Sequence, residues 1–525
     1  MREATGALRA PVASFPRLPN TDYWLPITTP YREQDLSRTI RIIKPFLPAS
    51  LLLFLLAGCS SYPQRMARVQ EDFVRGEYES ALSNICESDC EGGKDQILAL
   101  LERALLKQSM GDFEGSNRDF ETAYGLMEDY ENRPSVSLRD IGSEAGAALV
   151  NETTLPYKGT GYEKFLVHIY KALNYLLLGD YEGAGVEIRR LDRRREIELE
   201  TNRKAREAAE EAAREEEIPG EDLSGIESQL LAAYGPARDR AATVSNLYLS
   251  AFGSYLSALH YDLEGSWSES LIDYRRVLEQ VPASRYARID AVSSGADDIS
   301  DPAVDLDLSR TGDLFLVFQS GLSPVKDQVY IPIPVGDGML AIAFPFYRLV
   351  PTRLSRAAVY IDGRDAGATE ILSDIEAKQV RELIDQIPVL IVRQAIRAAV
   401  KATMLHASKE AAGGWGELAA SLYNIFSEQA DLRSWLLLPR NIQVLRAYPP
   451  EGTRQVRIDI LDEAGGVLDS VDFELEFRND QTVLVNLRAV GYTPLLPDGL
   501  TVTQQWRALP RVPLAGRPRN RIGAE

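Results

Sequence analysis

The chain of 525 residues predicts an α+β protein: tetratricopeptide-like helical hairpins, then a β-sandwich-like module with a helical insertion. Three observations carry that expectation. A glycine–polar–aromatic pattern recurs at hairpin spacing up to about residue 290. Period-two apolar alternation bounded by turn residues takes over from about residue 305. Helical spacing returns inside that second half, over 373–427. At about 150 residues per domain the length allows two or three folded units. With 45% apolar and 26% charged residues, the composition is that of an ordinary globular protein. The 58 basic and 77 acidic residues give a net charge of −19, without the basic excess of a non-specific nucleic-acid binder. Three cysteines and three histidines are few for a zinc ribbon or a haem site, so no metal or cofactor is expected.

Residues 1–58 read as a leader and a lipoprotein signal peptide. Arg38, Arg41 and Lys44 precede an apolar run from Pro45 to Leu56. At about 12 residues the run is shorter than the roughly 20 needed to span a bilayer. A basic flank, a short apolar core and small residues before a cut site make a secretory signal. The tetrad Leu56-Ala57-Gly58-Cys59 resembles a bacterial lipobox. That resemblance implies a diacylglycerol on the Cys59 thiol, cleavage before it, and acylation of the new amino group. Several acyl chains at about 0.8 kcal/mol per buried methylene form a stable anchor. Ser60 stands where an inner-membrane retention signal carries aspartate, so the outer membrane is the expected destination. Residues 1–37, proline-rich and aperiodic, suggest that translation starts near Leu36.

The region 59–290 is expected to be a helical-repeat domain. Gly76-Glu77-Tyr78, Gly111-Asp112-Phe113, Gly179-Asp180-Tyr181 and Gly265-Ser266-Trp267 each read as the turn of a hairpin followed by a second helix. The first two glycines lie about one tetratricopeptide period of 34 apart, and the second and third about two periods. A charged helix over 189–221, rich in opposite charges at i,i+4, accounts for the longer last interval. Stacked repeats form a concave surface suited to a peptide or a partner protein. Cys86 and Cys90, at i,i+4, could bridge in an oxidising compartment if the helix unwinds between them.

The β-rich domain is expected over 305–500. Leu314–Phe318, 328–333 and 339–346 alternate or run apolar, with Gly336-Asp337-Gly338 as a turn; Ala357–Ile361 is closed by Asp362-Gly363. Prolines 332, 334 and 345 suggest edges or bulges rather than central strands. Within the insertion, Arg393, Arg397 and Lys401 share one helical face opposite an apolar one. Strands resume at 442–447, 455–461, 467–477 and 482–490. The Arg/Pro-rich 505–525 reads as a flexible tail.

Gly321-Leu322-Ser323-Pro324-Val325-Lys326 with Ile331–Pro334, and Glu428 to Pro439 running into Ile442-Gln443-Val444, accompany the lipobox and the hairpin motifs. Together they resemble a widespread family of proteobacterial lipoproteins over about residues 59–500. The resemblance implies location and architecture and supplies no catalytic residue. Ser323-x-x-Lys326 fits the bare serine–lysine pattern of penicillin-binding enzymes, but Pro324 and the strand that follows speak against it. His168, His260 and His406 read as packed or helix-end histidines, and Asp431 with Arg433 as a structural ion pair. The expected function is a lipid-anchored, periplasm-facing scaffold or adaptor that holds protein partners, attaches to the membrane through its anchor and binds no nucleic acid. The rival readings are a cell-wall-acting enzyme and a lipid- or glycan-binding envelope protein.

Overall fold

The computed structural model describes residues 61–85, 90–132, 152–215, 220–299, 311–335, 338–400 and 429–513. Two units divide the chain, Met1–Ser60 and Ser61–Glu525. The leader, the lipobox and Cys59 lie outside the described residues, as do Cys86, Lys401 and His406.

The second unit begins with paired helices. They are α1 (Tyr62–Val74) and α2 (Tyr78–Ile85), α3 (Gln96–Met110) and α4 (Phe113–Asn132), α5 (Gly161–Leu178) and α6 (Tyr181–Glu215). After α7 (Gly220–Ala233) and α8 (Pro236–Ala242) come the pair α9 (Ala251–Glu264) and α10 (Trp267–Gln280), and then α11 (Arg285–Ser293). The repeated motif explains each turn. Gly111, Gly179 and Gly265 end α3, α5 and α9 in the left-handed conformation, the geometry that closes a Schellman end. The next residue then starts the second helix: Asp112 accepts from Gly115 N at 2.9 Å and Asp180 from Gly183 N at 2.8 Å, an N-cap satisfying an otherwise orphaned donor. Cys90 is disulfide-bonded.

The strands are β1 (Asp313–Ser320), β2 (Val325–Val335), β3 (Gly338–Arg348), β4 (Arg356–Ile361), β5 (Arg364–Ala368) and β6 (Glu370–Asp374). After them come β7 (Asn441–Ala447), β8 (Gly452–Leu461), β9 (Val467–Phe477), β10 (Gln481–Thr493) and β11 (Leu496–Pro510). One sheet runs β11-β10-β1-β7-β6, with β1 and β10 parallel and the other neighbours antiparallel. A four-stranded antiparallel sheet runs β5-β4-β8-β9, while among the described residues β2 and β3 pair only with each other. That isolation makes both strands of the hairpin edges and admits prolines 332, 334 and 345.

Strand β1 is buried along its whole length because both its faces are covered. On one face Phe315 stacks on Tyr255 of α9 at 5.3 Å and Gln319 reaches Gln108 of α3; on the other, Leu314, Leu316 and Phe318 are fully buried in the core. A single core cluster runs from Tyr62 to Leu509 and includes helices and both larger sheets. The boundary near 290–305 therefore separates helices from strands but not two cores. The tail expectation also changes: 505–510 complete β11, Arg511 N donates to Asp480 O at 2.9 Å, and Val512 N to Leu263 O at 3.2 Å. Residues 189–215 of the charged segment continue the helix α6 begun at Tyr181. Its far end is not merely solvated, since Ala209 and Ala212 pack against Val392 and Ile396 of a helix over 375–400, here α12.

Helix α12 buries Lys378, whose Nζ donates to Leu249 O and lies 5.7 Å from the Tyr162 ring centre. Burial lowers its pKa from 10.5 to about 7, against the pull of Asp374. The unfolded chain holds that proton up to about pH 10, so this lysine adds stability only as pH rises from about 7 to about 10. Lys378→Met is expected to raise the urea midpoint near pH 7, with the advantage shrinking towards pH 10. A midpoint difference that stays flat with pH contradicts this.

Candidate functional site

The residues singled out by the repeat pattern are brought together, along a single strand. At the end of each first helix, β11 or the residues just after it meet the last carbonyls. Thr501 Oγ1 donates to Val74 O beside Gly76 at 2.7 Å, and Gln505 Nε2 to Ser109 O beside Gly111 at 2.9 Å. Arg507 Nη1 donates to Leu177 O beside Gly179 at 3.3 Å, and Val512 N to Leu263 O beside Gly265. Tyr181 adds a bond from its hydroxyl to Pro510 O at 2.7 Å. Helix ends leave such carbonyls without intrahelical partners, and the positive Arg507 also suits the negative end of α5. Tyr78 packs edge-on against Phe73, and Phe113 is buried. The turn edge of the array is thus occupied by the chain's own strand and is not free for a partner.

The fit is close. A Cβ at Gly179, where φ is +76°, would sit 3.0 Å from Arg507 Nε. The left-handed conformation itself costs an L-residue roughly 1–2 kcal/mol. Gly179→Val is expected to cost about 2 kcal/mol or more by denaturant titration; a loss under about 0.5 kcal/mol would mean that this turn is not held against β11.

The second conspicuous motif, around Trp435, is a buried seam between helices and sheet. Glu102 accepts from Leu436 N at 2.6 Å and Leu437 N at 2.9 Å, and Glu163 accepts from Trp435 N at 3.0 Å. Burial pushes Glu102 up to about 8, against the pull of those two amides. Arg433 pairs with Asp431 at 2.6 Å and Asp95 at 3.1 Å. Ser323 Oγ donates to Trp435 O at 3.1 Å and Lys326 Nζ to Arg433 O at 2.9 Å. Both residues of the serine–lysine pattern thus fasten this segment, and Ser323 is fully buried.

Comparison with known proteins finds no family model, no curated protein and no solved structure that matches the chain.

One open site among the described residues is a groove between α4 and α6 with α5 beneath it. It admits water over about 280 Å³ and is lined by Glu121, Tyr124, Gly125, Glu128, Arg190, Arg193, Arg194 and Ile197. Its polar framework is held from below. Lys171, buried on α5, binds Glu121 and sits 2.8 Å from Glu187. His168 Nδ1 is 2.7 Å from the other Glu187 oxygen, and Tyr124 caps the imidazole edge-on at 4.5 Å. Burial pushes Glu187 up, but the His168 and Lys171 contacts outweigh it and leave its pKa lowered. Burial lowers the His168 pKa, against the opposing pull of Glu187. Arg194 is clamped by Glu131 and Glu198.

These pairs leave the rim to act. Arg193 makes no ion pair among the described residues, while Ile197 exposes 38% of its surface. The lining holds no serine, threonine or cysteine, and burial pushes the Tyr124 hydroxyl up to about 12. The arrangement suits binding an extended segment that offers an acid to Arg193 and an apolar side chain to Ile197 and Tyr124. Sequence reasoning passed over these residues because Arg193-Arg194-Arg195 reads as a solvated run; the available signal was a lone isoleucine among charges. His260 is buried beside Tyr261. Among the described residues, no cluster of three metal-ligating side chains occurs, and no helix is long and apolar enough to cross a membrane.

Proposed function

We propose that this protein is a lipid-anchored scaffold on the periplasmic side of the outer membrane that holds a segment of a partner protein in the α4–α6 groove. The observation carrying the reading is that groove: open, amphipathic, and built on a helical array whose turns are bound to β11. The helix pairs are read as degenerate tetratricopeptide units, and the two larger sheets as a distorted sandwich. The Leu56-Ala57-Gly58-Cys59 tetrad supports the anchor and the likeness to proteobacterial lipoproteins. The bridged Cys90 suits an oxidising compartment.

Metabolic labelling with a clickable palmitate tests the anchor. The full-length protein is expected to carry label and sediment with outer membranes, and Cys59→Ser to carry none. An unlabelled wild-type protein in the aqueous fraction overturns the reading.

A further inference from the structure

Only Ser60 and Ser61 separate Cys59 from the first helical residue, Tyr62. That start is fixed to the body. Ser61 N donates to Gln64 Oε1 at 2.9 Å in a capping box, and the Tyr62 side chain is buried with its hydroxyl 3.5 Å from Glu102. Three residues reach at most about 10 Å, whereas one headgroup layer is about 5–7 Å thick. An acylated Cys59 therefore leaves the start of α1 only a few ångströms above the headgroups.

The surface around that point has matching chemistry. Arg65 and Arg68 lie exposed on α1, and Lys94 is exposed beside Asp95, the carboxylate that binds Arg65. Arg433 holds Asp95 from the other side and bonds Leu155 O at 2.8 Å. Leu155 exposes 46% of its surface. Among the described residues nearby in sequence, Glu91 is exposed, and the half-exposed Glu71 on α1 is paired with Arg75 at 2.7 Å. Basic side chains near an anionic bilayer are each attracted to it, and a lone exposed leucine among them suits the interface.

We infer that the face formed by Arg65, Arg68, Lys94 and Leu155 lies against phospholipid headgroups in the anchored protein, an inference that rests on the acylation of Cys59. The body is then held close to the bilayer with a set orientation. The turn edge along β11 lies at the far end of α1, about 20 Å away for a helix of 13 residues at 1.5 Å per residue.

The full-length acylated protein, in vesicles of phosphatidylcholine and phosphatidylglycerol at four to one, carries an environment-sensitive fluorophore at Arg68→Cys or at Trp506→Cys on β11. A headgroup spin-labelled lipid is expected to quench the first at least threefold more than the second. Equal quenching, or stronger quenching at 506, in acylated and vesicle-bound protein overturns the orientation and leaves the anchor standing. A protein that mass spectrometry shows to be unacylated overturns both.

Discussion

Arg446→Met is expected to cost about 3–5 kcal/mol of folding stability, the scale for stranding a buried charge. Arg446 on β7 binds Asp313 of β1 through two bonds, Nε at 3.0 Å and Nη2 at 2.8 Å. Its Nη1 lies 3.1 Å from Asp262 of α9 and 3.2 Å from Asp290 of α11, and donates to Tyr274 of α10 at 2.7 Å. Arg511, just past β11, meets the same Asp313 at 2.5 Å. All five charged side chains are essentially unexposed. Burial raises Asp313, but Arg446 and Arg511 outweigh it and hold its pKa well below the ordinary range. Its contribution is therefore present above about pH 4 and lost as pH falls lower. Methionine keeps the apolar stem but leaves three aspartates with one arginine. Urea unfolding at neutral pH measures the loss; a change under about 1 kcal/mol would mean the cluster is hydrated rather than buried.

Trp435→Ala is expected to cost a further 3–5 kcal/mol on the scale of buried aromatic truncations. Trp435 is fully buried, 5.7 Å from Phe120 of α4 and 5.8 Å from Tyr170 of α5, on the segment whose amides Glu102 and Glu163 hold. It belongs to neither half alone. Thermal melts followed in the far ultraviolet for helix and by amide exchange in β1 and β10 are expected to shift together. Loss confined to one half would contradict the single core.

How much of this was legible depends on the range of the interaction. The hairpin turns were readable because their chemistry is local: a left-handed glycine, followed at Asp112 and Asp180 by a carboxylate that caps the next helix. The run Leu314–Phe318 announced a strand because apolar residues on both faces serve a strand covered on both. The parallel pairing of β1 with β10 was not readable, since Asp313 and Thr482 lie far apart in sequence. Nor was β11. Its Gln505 and Arg507 look like the start of a polar tail until the helix carbonyls they satisfy are in place. The groove was hidden for the same reason, because Arg194 is buried only when Glu131 of another helix meets it.

The most direct test of the binding role is photocrosslinking from the groove in living cells. A benzophenone amino acid at Ile197 is expected to give one discrete protein adduct. Its abundance should fall at least fivefold in the Arg193→Glu variant, and the adduct should be absent from the exposed Leu199 two residues away on the same helix. No adduct at Ile197, or the same adduct from Leu199 regardless of Arg193, would contradict the account.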